Sequence, residues 1–161
     1  VNFAKERDLE YIQDEYENVV IIKEASKGYE NAPAIMLQGH MDMVCEKTND
    51  SNHDFLTEGI ELLADDDYIH ADRTTLGADN GIAVAYSLAF LDDETLQHPR
   101  IEAIFTTDEE VGMEGAIGLD VTPLKGKYLI NVDSEDEGSL LISSSGGLTG
   151  TYQLIVYLMK D

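Results

Sequence analysis

The chain has no tryptophan, one cysteine and three prolines in 161 residues, and its lysines and arginines together number only ten. A single cysteine, Cys45, excludes an intrachain disulfide framework and fits a reducing, cytoplasmic setting. No apolar run approaches the roughly 20 residues that cross a bilayer, so no membrane partner is expected. The opening stretch, Val1 to Glu10, has an amphipathic helical pattern without the basic start and small-residue cleavage site of a signal peptide. The scarcity of basic charge is the strongest bulk feature, because 33 acidic residues oppose it and leave a net charge of −23. A surface this acidic repels nucleic acid and anionic lipid, which excludes nucleic acid as a partner. Two explanations of the charge remain open: plain solubility, or carboxylates that converge to hold cations.

What is present is a globular composition, 43% apolar, enough for one domain with a sizeable core. Asn2 to Leu9 reads as the end of a helix. Glu17–Lys23 and Ala34–Leu37 are β-branched or apolar runs with turn residues between them, Lys27 to Pro33, and this pair predicts a hairpin. Glu46 to Asp54 is a polar loop, and Gly59 to Asp72 predicts a second hairpin around Asp65-Asp66-Asp67. That acidic triplet lacks the glycine and terminal glutamate of a calcium loop. Asn80 to Leu91 is apolar nearly all round, which argues for a buried helix. Arg100–Thr106 and Lys127–Val132 read as buried strands, with a short helix at Met113–Leu119 between them. Ser139–Ser145 and Thr151–Met159 are two further strand candidates. The alternation predicts an α/β fold, a mixed sheet flanked by helices.

Four acidic or histidine signals sit where strands end, the edge at which open α/β sheets place their ligands. In Gly39-His40-Met41-Asp42, residues two apart share a side of extended backbone, so His40 and Asp42 can cooperate. A metal-binding histidine commonly has its second nitrogen held by a carboxylate, although a surface histidine at a turn would look the same. Asp79, in Leu76-Gly77-Ala78-Asp79-Asn80-Gly81, is flanked by small residues that admit close approach; a helix N-cap is the alternative. Glu109 and Glu110 end a buried strand, where paired acids are costly without a compensating cation. Asp133 follows the apolar run that ends at Val132.

Taken together, His40-x-Asp42, Gly77-Ala78-Asp79-Asn80, Asp108-Glu109-Glu110-x-Gly112 and Asn131-x-Asp133-Ser134 resemble the M20 metallopeptidase family. The stretches Gln38 to Lys47 and Ser51 to Phe55, with Leu124-Lys125-Gly126 and Asp133-Ser134-Glu135-x-Glu137-Gly138, resemble its aminoacyl-histidine dipeptidase branch. The resemblance implies a zinc-peptidase-like catalytic domain, of which residues 1–147 are the N-terminal half and 148–161 a trailing strand or the start of a lid domain. It implies that His40, Asp79 and Asp133 hold one divalent metal and that Asp79 bridges to a second, also held by Glu110. Glu109 would be the general base and Asp42 would orient His40. Zinc is the implied ion, with cobalt or manganese as substitutes, and the peptide bond from Asp79 to Asn80 would be cis. In that family another histidine ligand lies far beyond residue 161, so this chain alone is expected to hold at most one ion well and not to turn over dipeptides.

The implied activity is hydrolysis of Xaa-His dipeptides by a metallo-dipeptidase of the cytoplasm, homodimeric through the lid. An N-acyl amino-acid deacylase would use the same residues, and a non-catalytic acidic domain that binds cations or a partner is the rival of another class. Arg73 departs from the family pattern, which has glycine there.

Overall fold

A computed structural model describes residues 1–134, 138–143, 146, 150–151 and 153–154. In chain order the elements are α1 (Asn2–Glu6), β1 (Glu10–Gln13), β2 (Val19–Lys23), β3 (Ile35–His40), β4 (Leu62–Asp65), β5 (Tyr68–Ala71), α2 (Ala78–Asp92), β6 (Ile101–Thr106), α3 (Glu114–Gly118) and β7 (Tyr128–Asn131). Five strands form one mixed sheet in the order β1-β2-β6-β3-β7, and β4 and β5 form a separate two-stranded ribbon. The expected α/β mixed sheet with helices is thus what the chain forms.

β6 lies at the centre of the sheet and is buried on both faces. It pairs antiparallel with β2 and parallel with β3, and every one of its six residues is buried. Side chains alternate across β2 and β6. Val19, Ile21, Ile101, Ala103 and Phe105 pack on one face with Leu37 of β3 and with Ala4 and Leu91 of the helices. Val20, Ile22 and Ile104 pack on the other, against Met36, Leu119 and Leu124. Glu102 shares that second face with no exposure at all. It accepts hydrogen bonds from the Arg100 Nε at 2.9 Å and from the backbone N–H groups of Lys125 and Gly126 at 2.9 Å each. The buried acid thereby pins the loop that leads into β7.

Four sequence expectations are corrected. The runs around β2 and β3 do not form a hairpin, since β6 sits between them. β2 instead makes its hairpin with β1, which the sequence reading missed, through a turn in which Asp14 accepts the backbone N–H groups of Tyr16 and Asn18 at 2.9 Å each. β7 is an exposed edge strand despite its apolar sequence, and α2 leaves Ile82, Tyr86 and Phe90 exposed on one side. No strand is present over residues 139–143, and the candidate at Thr151–Met159 lies largely outside the described residues. The ribbon β4–β5 matches its predicted hairpin, turning at Asp66–Asp67 with Asp66 at φ 49°.

Arg73 takes the left-handed backbone that glycine favours, at φ 55°. Its guanidinium lies on the Asp72 carboxylate and the Asp50 carbonyl, so the side chain is accommodated at the surface. Among the described residues no helix is long and apolar enough to cross a membrane.

Candidate metal centre

β3, β6 and β7 run parallel, so their carboxyl ends open on the same edge of the sheet. His40 is the last residue of β3, Asp42 lies two beyond it, Glu109 and Glu110 follow β6, and Asp133 follows β7. The start of α2 delivers Asp79 to the same edge. There Gly77 takes φ 74°, a backbone that its missing Cβ allows, and a Cβ at that position would meet the Met43 Sδ at 2.9 Å. The backbone is non-helical at Asp79 and Asn80, the peptide bond between them is cis, and Asp79 is not the helix cap. Ala78, Asp79, Asn80, Glu109, Glu110 and Asp133 line a cavity of about 660 Å³.

His40 is the hub, with its side chain 1% exposed. Its Nδ1 lies 3.0 Å from the backbone carbonyl of Asp42. The Asp42 Oδ1, buried and without a hydrogen-bond partner among the described residues, is 3.3 Å from the same nitrogen. Nε2 faces the Asp79 Oδ1 at 3.1 Å and oxygens of Glu109 and Asp133 at 3.9 Å each. Among the described residues, both ring nitrogens thus meet oxygen acceptors only. A neutral imidazole carries one N–H, which satisfies one side and leaves a lone pair aimed at carboxylates on the other. The arrangement therefore calls for a positive charge, either a second proton or a cation. Burial pulls the His40 pKa down, but the hydrogen bond to Asp79 and the charges of Asp133 and Asp42 outweigh it, and the result stands above the ordinary value.

The acids differ in setting. Burial is the main influence on Glu109 and, with the charges of Asp133, Glu110 and Asp42, raises its pKa against the opposing pull of His40. Burial also pushes Asp42 upward, yet the backbone N–H groups of Glu110 and Glu109, its own N–H and His40 hold it below the usual range. The Asp42 carboxylate accepts the Glu110 N–H at 3.0 Å, so it ties the loop after β6 to the end of β3 as well as facing His40.

Among the described residues, two sets of three side chains offer ligand atoms within 4.8 Å of one another: His40, Asp79 and Asp133, and His40, Glu109 and Glu110. The first is the trio named from the sequence. The second brings Glu110 together with Glu109 and His40, and Asp79 and Glu110 line the same cavity. One imidazole nitrogen with two carboxylates, facing an open cavity, is a donor set that fits a divalent transition ion.

The sequence reading gave no role to Asn18 or Asn80. Asn18 is 1% exposed; it donates to Asp14 and to the Gly115 carbonyl and accepts the Thr107 N–H, clamping the loop that bears Glu109. Asn80 is 2% exposed and its amide reaches both the Val132 carbonyl and Asp133. A buried asparagine has no periodic signature, so only its place inside the Gly77–Gly81 stretch hinted at it.

No protein-family model matches the chain. It is 43% identical to the cytosol non-specific dipeptidase of Escherichia coli over 96% of its own length and 32% of that protein's. Among solved structures it is similar to the aminoacylhistidine dipeptidase of Vibrio alginolyticus, with a TM-score of 0.82 and 45% identity over 86% of this chain and 28% of that one. It is also similar to the aminopeptidase PepT of Bacillus cereus, with a TM-score of 0.66 and 27% identity over 84% of this chain and 36% of that one. The chain spans about a third of the length of these relatives.

Proposed function

We propose that the chain belongs to the M20 metallopeptidase family, in its aminoacyl-histidine dipeptidase branch, and is the N-terminal portion of a metal-dependent dipeptidase, a reading supported by its identity to the Escherichia coli and Vibrio alginolyticus dipeptidases. Residues 1–147 belong to the catalytic domain of that enzyme and 148–161 open the segment that follows. The observation that carries this reading is the surrounding of His40, whose two nitrogens, among the described residues, meet only oxygen acceptors at 3.0–3.9 Å. His40, Asp79 and Asp133 hold one divalent ion, and Glu110 contributes toward a second. Zinc suits this mixture of imidazole and carboxylate with an open position, and cobalt or manganese can substitute.

Bound there, such ions would polarise the peptide carbonyl and lower the pKa of a water. The protein's own residues do the rest. Asp42 fixes the ring of His40 from the Nδ1 side, leaving Nε2 directed at the cavity. Glu109 has its side chain 35% exposed beside that nitrogen, and its raised pKa suits a group that must both accept and return a proton. It takes a proton from the attacking water as the new C–O bond forms. It then delivers that proton to the departing amine nitrogen as the C–N bond breaks.

The proposed substrate is a dipeptide of the aminoacyl-histidine class, supported by the likeness to the Vibrio alginolyticus aminoacylhistidine dipeptidase. The lone cysteine and the cytosolic relative support a cytoplasmic setting. Homodimerisation through a lid domain outside these residues rests on the family resemblance alone. The test is zinc-dependent hydrolysis of alanyl-histidine by the longer protein. Glu109→Ala is expected to abolish turnover while metal uptake persists, and undiminished turnover in that variant would refute the assignment.

A further inference from the structure

The second residue of the cis pair, Asn80, is oriented without ambiguity. Its Nδ2 lies 2.6 Å from the Val132 carbonyl and 2.7 Å from the Asp133 Oδ1, and since both partners are acceptors the nitrogen must face them. Its Oδ1 is buried with no hydrogen-bond partner among the described residues. A buried acceptor left unpaired is costly, so a residue with no role beyond filling space would be better apolar here. The site is shaped around this amide. A Cβ on Gly39, one residue before His40, would stand 2.5 Å from the Asn80 Oδ1 and 2.5 Å from the Ala83 Cβ. The β3–β7 ladder ends nearby, with the Val132 N–H reaching the Gln38 carbonyl at 3.4 Å. Beyond that bond, the Val132 carbonyl goes to the side chain of Asn80.

We propose that Asn80 is a positioning residue for Asp133: its single amide group locks the carboxylate to the end of β7 and turns it toward His40. The Asp133 Oδ1 that Asn80 holds is the atom 3.9 Å from the His40 Nε2. Gly39 supplies the space in which the amide sits. One donor group thereby couples the end of one strand, the start of α2 and one carboxylate of the candidate trio. The inference rests on the metal-binding reading above, and it makes the geometry of that trio depend on a residue that ligates nothing.

The test uses cobalt(II) as the probe, because its visible absorption reports coordination number and ligand geometry independently of catalysis. Wild-type chain, Asn80→Ala and His40→Ala are titrated, with circular dichroism to establish folding. Wild type is expected to bind cobalt with resolved visible bands, and His40→Ala to lose them. Folded Asn80→Ala is expected to bind about 10- to 100-fold more weakly with shifted bands, the usual effect of removing a group that holds a ligand. A merely structural asparagine would lower the melting temperature and leave the bands unmoved. Identical affinity and bands in folded Asn80→Ala overturn the proposal alone. Absence of cobalt uptake by wild type, or uptake unaffected by His40→Ala, overturns the metal-binding reading and this inference with it. Should Asn80→Ala not fold, nitrogen-15 spectra of wild type decide. Asn80 side-chain NH₂ signals that are protected from exchange and shift on addition of zinc support the proposal; freely exchanging, unmoved signals overturn it.

Discussion

Replacing Glu102 by glutamine isolates one buried carboxylate whose surroundings are fully defined. Glu102 has no exposure. It accepts from the Arg100 Nε, the Lys125 N–H and the Gly126 N–H at 2.9 Å each. Glutamine preserves the shape but turns one acceptor oxygen into an NH₂ facing donors. Hydrogen bonds to a charged group contribute about 1.5–3 kcal/mol each, and breaking a buried pair costs about 3–5 kcal/mol. Arg100 keeps a second partner in Glu24, which favours the lower end. We therefore expect a loss of about 3 kcal/mol, a large share of a domain's typical 5–15 kcal/mol. For a chain of this size that lowers the melting temperature by roughly 6–12 °C.

The pH dependence is a second, independent check on the same residue. Burial raises the Glu102 pKa, but the Arg100 hydrogen bond and the two backbone N–H groups overcome it, so the folded value lies below the ordinary 4.5. A depressed folded pKa means stability that is fully present above the unfolded value and lost as pH falls through the folded one. The gap between wild type and Glu102→Gln, measured by urea denaturation, should therefore be constant above about pH 5 and close on acidification. A difference under about 0.5 kcal/mol at neutral pH, within the range of ordinary surface substitutions, would refute the reasoning. So would a gap that persists unchanged in acid.

Two other outcomes follow from particular contacts. Gly77→Ala adds both left-handed strain, about 1–2 kcal/mol, and a Cβ 2.9 Å from the Met43 Sδ, whereas Gly28→Ala at φ 94° meets open space. Gly77→Ala should thus lower the melting temperature more than Gly28→Ala, and equal losses would contradict the packing described. For the metal-free chain, the raised pKa of His40 gives stability that is complete below its unfolded value near 6.5 and lost as pH rises through the folded value. The stability difference between wild type and His40→Ala should accordingly shrink from pH 6 to pH 9, and a difference that grows would contradict the ion pairing.

Strands whose burial is local were legible in the sequence, and pairings decided far along the chain were not. β6 and β3 announce themselves as apolar runs, and β4–β5 as a hairpin, because its two strands meet across Asp66–Asp67. The supposed β2–β3 hairpin failed for a physical reason: β2 buries every residue, and β6, some eighty positions later, satisfies its hydrogen bonds from the other side. β7 looks like a core strand yet lies at an edge, since a strand's burial depends on its neighbours as well as its composition.

The candidate site divides in the same way. His40, Asp79, Glu110 and Asp133 were visible as acids or histidine at strand and loop ends, where a parallel sheet gathers its carboxyl ends. The second grouping, with Glu109 beside Glu110 and His40, was not: the bond that ties the Glu110 backbone to Asp42 spans 68 positions. Asn80 and Asn18 were invisible in role, their partners lying up to 97 positions away.

Calorimetric titration of the 161-residue chain with zinc bears on the central claim most directly. Both ligand sets need His40, so they accommodate one strongly held ion between them. The expected result is one tight site per chain, lost in His40→Ala, with affinity that falls about tenfold per pH unit once protons compete for the imidazole. Two tight sites, or one that survives His40→Ala, would contradict the account.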